Sequence, residues 1–439
     1  MISNTARKLP ENPVSASSSP NSKQTAPQSA TDKTCRFCAA PLRQTVVDLG
    51  VQPPANYYLR PDDLGRAEPF YPLHAFVCES CLLVQIEEVQ SPQQLFSDYA
   101  YFSSYSDSWL RHAEQYVAAM VQRFGFDKTS HVVEVASNDG YLLQYFVKRG
   151  VPVLGIEPAA NVAKVAEAKG IPSLVRFFGV ETARALAAEG KQADLLLGNN
   201  VLAHVPDLND FVAGLKIALK PEGVLTMEFP HLLNLMRLNQ FDTIYHEHFS
   251  YLSLLAVKKI FAHHSIRLFD VEELPTHGGS LRIYGCHAES AWPTGERVAA
   301  LDAREIAAGL AKMETYAGYA EQVKRTKREL LKFLIAAKEA GKSVVAYGAP
   351  AKGNTLLNYC GVRGDFLDYT VDSSPHKQGH HLPGTHLAIH APERIFETKP
   401  DYVLILPWNI KDEIMEKMAG IRAWGGRFVV PIPTVTVLD

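Results

Sequence analysis

Four consecutive residues in the stretch FDTIYHEHFSYLS (Tyr245, His246, Glu247 and His248) place one phenol, two imidazoles and one carboxylate side by side. Such groups remove, carry or hold a proton, and an imidazole with an ordinary pKa of ~6.5 suits that work near neutral pH. A polar turn that happens to contain histidine would read the same way in isolation. What the tetrapeptide does depends on the elements that hold it.

A second set of reactive side chains lies near the N-terminus. Cys35 and Cys38 form one C-x-x-C pair, and Cys78 and Cys81 form another after 39 intervening residues. Two such knuckles can set four thiolates tetrahedrally around Zn²⁺, which then keeps no open position and has a structural role. The gap is longer than the roughly 15–20 residues of the common ribbon, so a sub-structure is expected inside it. A redox C-x-x-C would need only one pair, opening a helix after a strand. Cys286 and Cys360 stand alone, which is the cysteine usage of a reducing compartment.

Size and charge narrow the classes. A chain of 439 residues is too long for one core and implies about three domains. A net charge of −3 and a pI near 6.6 supply no field for nucleic acid or an anionic membrane, and neither is expected as a partner. No apolar run approaches the roughly 18–20 residues of a membrane span. Residues 1–33 carry no apolar h-region of a secretory signal. They are rich in Ser, Pro, Asn, Gln, Thr and Ala, and are expected to be disordered. A cytoplasmic protein is expected.

Residues 131–229 alternate strand and helix, the pattern of an α/β doubly wound sheet that binds ligands beyond its strand ends. The first strand, HVVEVA, runs into the turn EVASNDG, which carries Glu134, Ser137, Asn138 and Gly140. The second strand ends in Glu157, 23 residues after Glu134, where an acid commonly bonds ribose hydroxyls. The third ends in Asn199 and Asn200, with His204 just beyond. The turn lacks G-x-G-x-x-G, so a dinucleotide fits poorly. S-adenosylmethionine, a cationic nucleoside without phosphate, fits an acidic, glycine-poor turn better. The 245–248 tetrapeptide follows the last strand, on the side where such a cofactor would lie.

Upstream, an aromatic run with Tyr99, Tyr101, Tyr105 and Trp109 precedes a helix ending near residue 124. Downstream, THGGSLR offers Gly278 and Gly279 for close backbone approach, and Arg282 for a ligand phosphate or an ordinary carboxylate. Residues 297–340 read as helical. A second α/β unit then opens with the strand Val344–Tyr347 and the turn GAPAKGNT, whose Lys352 and Asn354 precede or enter a helix. That turn would suit a phosphate but is not a Walker loop. It could equally be a nucleotide fold retained for packing.

The CxxC…CxxC module followed by EVASNDG, NNVLAHVPDL, EFPH, YHEHFSYLS, THGGSLR and YGAPAKGNTLLNY, in this order, resembles the nucleotide-sugar C-methyltransferases that make branched-chain deoxysugars. The resemblance runs from about residue 34 to the end. Ala136, where many methyltransferases have Gly, and the polar N-terminal extension depart from it. It implies a zinc module (34–92), a class I methyltransferase-like domain binding S-adenosylmethionine (93–290) and a C-terminal Rossmann-like substrate domain (291–439). The substrate implied is a nucleotide-linked 4-keto-deoxysugar, carried on dTDP, with the enzyme a monomer or weak homodimer.

Methylating carbon then requires an enolate, hence a base, a donor for the developing oxyanion and an in-line methyl. By the resemblance His248 is the base, Glu247 orients it or shares the role, Tyr245 and His204 serve the enolate oxygen, and Tyr99 shapes the pocket. Cofactor contacts fall to Glu134, Ser137, Asn138, Gly140, Glu157, Asn199 and Asn200. Substrate contacts fall to Arg282, Asn354 and Lys352, the last at the diphosphate. His246 is left to the scaffold. Three rivals explain less: a dinucleotide oxidoreductase acting on a nucleotide sugar lacks its glycine fingerprint, a zinc hydrolase lacks H-E-x-x-H, and a zinc-ribbon binding module lacks a basic patch.

Overall fold

The computed structural model describes residues 33–93 and 102–439. Among these residues the chain builds three sheets. The central one runs, edge to edge, Ile266–Leu274, Ser280–His287, Leu219–Pro230, Ala193–Asn199, Val132–Val135, Val153–Ile156 and Ser173–Leu174. Ser280–His287 lies antiparallel to both neighbours, and the strands from Leu219–Pro230 onward pair in parallel. Strands covered on both faces need continuous apolar runs. Val132 and Val133, and Leu195 to Leu197, are accordingly buried. Strand order reverses at Val132–Val135, so its C-terminal end opens the crevice where doubly wound sheets hold ligands.

Three local departures from the sequence reading have clear causes. The helix expected after the first strand shrinks to Leu143–Val147, because Ala136, Asn138 and Gly140 all take positive φ and use up the approach in a tight turn. The strand expected at 223–230 begins at Leu219 instead, with a register shift that accommodates Pro221 and Gly223. The helical stretch 297–340 divides into Glu296–Ala307, Met313–Ala317 and Tyr319–Glu339, with Gly309 at φ 90° in the first break.

The N-terminal sheet joins Gln44–Gln52, Tyr71–Val77 and Val84–Ile86, which lie between or just after the cysteine pairs. Its fourth strand is Ser250–Tyr251, supplied from far along the chain immediately after the 245–248 tetrapeptide. The C-terminal sheet runs Ile389–His390, Thr370–Val371, Val344–Tyr347, Tyr402–Ile405, Arg427–Val430 and Thr436–Leu438. All but the last pair in parallel, in the order of a Rossmann-like nucleotide fold.

Residues 53–59 of the N-terminal module dock on the C-terminal unit. The Tyr58 hydroxyl donates to Ala349 O (2.6 Å), the Asn354 amide donates to Ala55 O (2.6 Å), and Leu59 and His381 exchange backbone bonds. No helix among the described residues is long and apolar enough to cross a membrane.

Candidate active site

The tetrapeptide leaves the short turn Phe241–Thr243 and enters the strand Ser250–Tyr251, so both ends are anchored. His248 Nδ1 lies 3.0 Å from Thr243 O, a pure acceptor, and therefore carries the proton. The Tyr245 hydroxyl, 2.7 Å from His248 Nε2, donates to the lone pair that remains. The His204 ring stands nearly perpendicular to His248, with centroids 4.6 Å apart, and donates to the Glu247 backbone carbonyl. Burial lowers His248 well below the ordinary imidazole range, helped by His204, and lowers His204 to about 4. Both rings are neutral at pH 7, the state a proton acceptor needs.

Glu247 is not the residue that orients His248; the Thr243 carbonyl does that. The buried Glu247 carboxylate turns toward the zinc-binding module instead, where Asn56 Nδ2 donates to it at 2.6 Å. Burial lifts it to about 7, partly offset by Asn56. His246 also faces the module: its ring meets Tyr71 edge-on and its Nε2 lies 3.3 Å from Pro72 O.

Lys352 reaches this cluster from the start of the helix Ala351–Cys360. Its ammonium donates to Asn409 Oδ1 (2.6 Å) and sits 4.6 Å above the Trp408 ring. Trp408 Nε1 donates to the buried Asp242 at 2.7 Å. Burial raises Asp242 to about 6 and lowers Lys352 to about 8, with each charge pulling the other back. The same indole packs on Gly278, whose φ is 86° and where a Cβ would lie 2.7 Å from the ring. Close backbone approach at the GG pair is therefore realised against Trp408. The Asn200 amide Nδ2 donates to Nε2 of the preceding His277 at 3.1 Å, and the His277 ring meets the Trp109 ring edge-on. Burial and the Lys352 charge lower it to about 4.

The expected cofactor residues gather at the sheet's crevice. Glu157 receives Asn138 N on one oxygen and Ala159 N on the other, both at 2.9 Å. Asn138 Oδ1 receives Ser103 N at 2.8 Å, and Asn199 donates to the Tyr141 hydroxyl at 3.2 Å. Neither oxygen of the fully buried Glu134 is in a hydrogen bond of normal geometry, and burial raises its pKa well above the carboxylate range. Ser137 Oγ, Asp139 Oδ1 and Asn200 Oδ1 are likewise buried without a partner. Gly140, at φ 74°, leaves a Cβ no room against Ile171.

Two expected substrate contacts are committed elsewhere. Arg282 is buried against Glu228 (2.8 Å), with Glu272 at 3.4 Å and the Tyr116 ring below it. This is the ordinary-carboxylate pairing: a guanidinium so enclosed cannot also face a phosphate. Burial pushes Glu228 up, but the His112 hydrogen bond and Arg282 outweigh it and hold Glu228 near 2. Asn354 spends its amide on Ala55 O, which makes it a joint between units. Tyr99 and Tyr101 lie outside the described residues, as does the stretch 1–32.

The four cysteines converge. Their Sγ atoms all lie within 4.8 Å of one another, with Cys35–Cys81 and Cys38–Cys78 each at 3.5 Å. A tetrahedron with Zn–S of about 2.3 Å has S···S edges of about 3.8 Å, so the set fits zinc.

Residues 35–96 match the family described as "Putative zinc binding domain", 109–265 "Methyltransferase domain" and 275–433 "C-methyltransferase C-terminal domain". C-methyltransferase NovU of Streptomyces niveus is 36% identical over 408 residues, 92% of this chain and 96% of that protein. The chain belongs to this C-methyltransferase family. Ubiquinone biosynthesis O-methyltransferase of Bartonella tribocorum is 31% identical over 97 residues, 21% of this chain and 38% of its own length. Among solved structures, the PH0226 protein of Pyrococcus horikoshii matches 44% of this chain and 97% of its own at 15% identity and a TM-score of 0.35. Magnesium protoporphyrin IX methyltransferase of Synechocystis, with bound SAH, matches 40% and 83% at 15% identity and a TM-score of 0.33.

In this C-methyltransferase the orphaned polar atoms of Ser137, Asp139 and Asn200, with the buried Glu134 carboxyl beside Tyr141, suit a polar nucleoside, so the crevice fits S-adenosylmethionine. Several members of the site escaped the sequence reading. Asn56 carries no local signal, because its partner is 191 residues away. Asp242 and His277 sit inside motifs already singled out, beside the tetrapeptide and the GG pair, where a titratable residue next to a conformationally special one was the available sign.

Proposed function

We propose that this C-methyltransferase acts on a nucleotide-linked 4-keto-deoxysugar, dTDP-linked in the simplest case, through an enolate. The reading rests on one observation above the others: a neutral imidazole, His248, whose tautomer is fixed by Thr243 and whose reactive nitrogen faces a phenol, beside the end of a methyltransferase sheet. When bound, S-adenosylmethionine supplies an electrophilic methyl and leaves as the neutral thioether.

The C–H bond next to the ketone breaks, its proton passes to His248 Nε2, and its electron pair flows onto the carbonyl oxygen. Tyr245, displaced from His248 by the substrate, serves that oxygen as a hydrogen-bond donor, while His204, whose one N–H is held by the Glu247 carbonyl, packs edge-on against His248 and keeps its ring in place. Carbon then attacks the methyl as the C–S bond breaks, the ketone reforms, and His248 releases its proton to solvent. Glu247, near pKa 7, is the second group able to take a proton here. Glu134, Ser137, Asn138, Gly140, Glu157, Asn199 and Asn200 are assigned to the donor.

The test is incubation of the purified enzyme with S-adenosylmethionine and dTDP-linked 4-keto-deoxysugars. A mass gain of one methyl on carbon is expected. Its absence across the panel, with the donor bound, would reject the substrate class.

A further inference from the structure

We propose that Lys352 is a catalytic residue whose ammonium group holds the enolate oxygen as it forms. This rests on the keto-sugar reading above and assigns Lys352 to the reacting carbonyl in place of the diphosphate.

Among the described residues Lys352 forms no ion pair. Its ammonium is held by a neutral amide oxygen, Asn409 Oδ1, and by the face of Trp408. Asp242, the acid facing it, is turned to the Trp408 N–H. Asp242 balances the Lys352 charge only from a distance, with no carboxylate in contact with the ammonium, so the fold leaves that ammonium able to pair directly with an anion that arrives later. Apart from Asp242, the titratable groups around it are neutral. His248, His277 and His204 are driven to the neutral form, and the Lys352 charge itself opposes protonation of the first two.

One cation thus does two things in sequence. Before reaction it disfavours the imidazolium, which leaves Nε2 of His248 free to accept. As the C–H bond breaks and its electron pair reaches the carbonyl oxygen, the new negative charge has a fixed positive partner in a partly buried site, where such pairing is worth most. When the ketone reforms the charge vanishes and the product is released. Trp408, stacked on Gly278, keeps the ammonium beside the His277 turn.

The test compares zinc-loaded wild type with Lys352→Met and Lys352→Arg on a dTDP-linked 4-keto-6-deoxyhexose. Lys352→Met should lower both kcat and exchange of the acidic C–H in deuterated buffer by roughly 10²–10³-fold, with KM within about threefold. Lys352→Arg should recover much of that loss. Wild-type activity should fall as pH rises past about 8, where Lys352 loses its proton, and Lys352→Arg should lack that fall. Unchanged exchange in Lys352→Met, or a raised KM with kcat kept, would overturn the proposal in favour of diphosphate binding. If Lys352→Met does not fold, the basic limb in Lys352→Arg decides alone. If wild type exchanges no such sugar, the substrate reading fails, and NMR titration of His248 still judges Lys352. That titration should move to higher pH in Lys352→Met, and an unmoved one rejects the role.

Discussion

The Tyr245 hydroxyl donates to Nε2 of His248 at 2.7 Å while the Thr243 carbonyl receives the proton on Nδ1, so the imidazole is held in one tautomer with its lone pair covered by a phenol. His248→Ala should abolish exchange of the sugar's acidic C–H. Tyr245→Phe should slow it by roughly 10²-fold, as loss of a positioned proton donor does. S-adenosylmethionine affinity, measured by calorimetry, should stay within about twofold in both. Wild-type exchange in His248→Ala would remove it as the base.

Glu247 gives a stability signature with a defined sign. Its folded pKa of about 7 lies above the ordinary 4.5, so between those values the folded state binds more protons than the unfolded one. Stability must then fall as pH rises through that window, by up to about 3 kcal/mol from this group. Glu247→Gln should be flatter than wild type in urea midpoint from pH 4.5 to 7. Parallel curves would mean the carboxylate is not buried as described.

Zinc removal should reach the chemistry directly. The strand Ser250–Tyr251 pairs with Val84–Ile86, and Ile86 N donates to Phe249 O, so the tetrapeptide is continuous with the cysteine module's sheet. After chelation, amide-exchange protection at 84–86 and 249–251 should be lost together, with C–H exchange on the sugar, while the donor still binds. Re-added Zn²⁺ should restore all three. Full activity without metal would contradict this coupling.

Arg282→Met should be a folding defect. Removing the guanidinium leaves Glu228 buried with only His112 and Thr276 to support its charge, which costs on the order of 3–5 kcal/mol. The folded fraction should keep a near-normal KM for the sugar nucleotide. A large rise in KM at unchanged thermal stability would return Arg282 to the substrate.

The parts of the molecule legible in its sequence are those encoded by short-range pattern. The apolar strands around Glu134, Glu157 and Asn199 and the two C-x-x-C pairs each carry their signal within a few residues, and the structure assembles them as expected. Arg282 and Asn354 were harder, because a charged or amide side chain looks alike whether its partner is a ligand or the chain itself. Only the fold reveals Glu228 beside one and Ala55 beside the other. The strand Ser250–Tyr251 was invisible for a related reason: two residues have no periodicity, and their partners lie about 165 positions earlier.

The 53–59 dock has a consequence for how the enzyme comes to be active. The crevice for the donor is assembled from neighbours in sequence and can close early. Asn56 must wait for Glu247, and Ala55 must wait for Asn354, a separation of 299 positions. Closing such long loops is slow, and the later partner, Asn354, is made after the whole central sheet. A nascent chain can therefore complete the nucleoside crevice before residues 53–59 find Glu247 and Asn354, and the two halves of that dock come from opposite ends of a long separation in sequence.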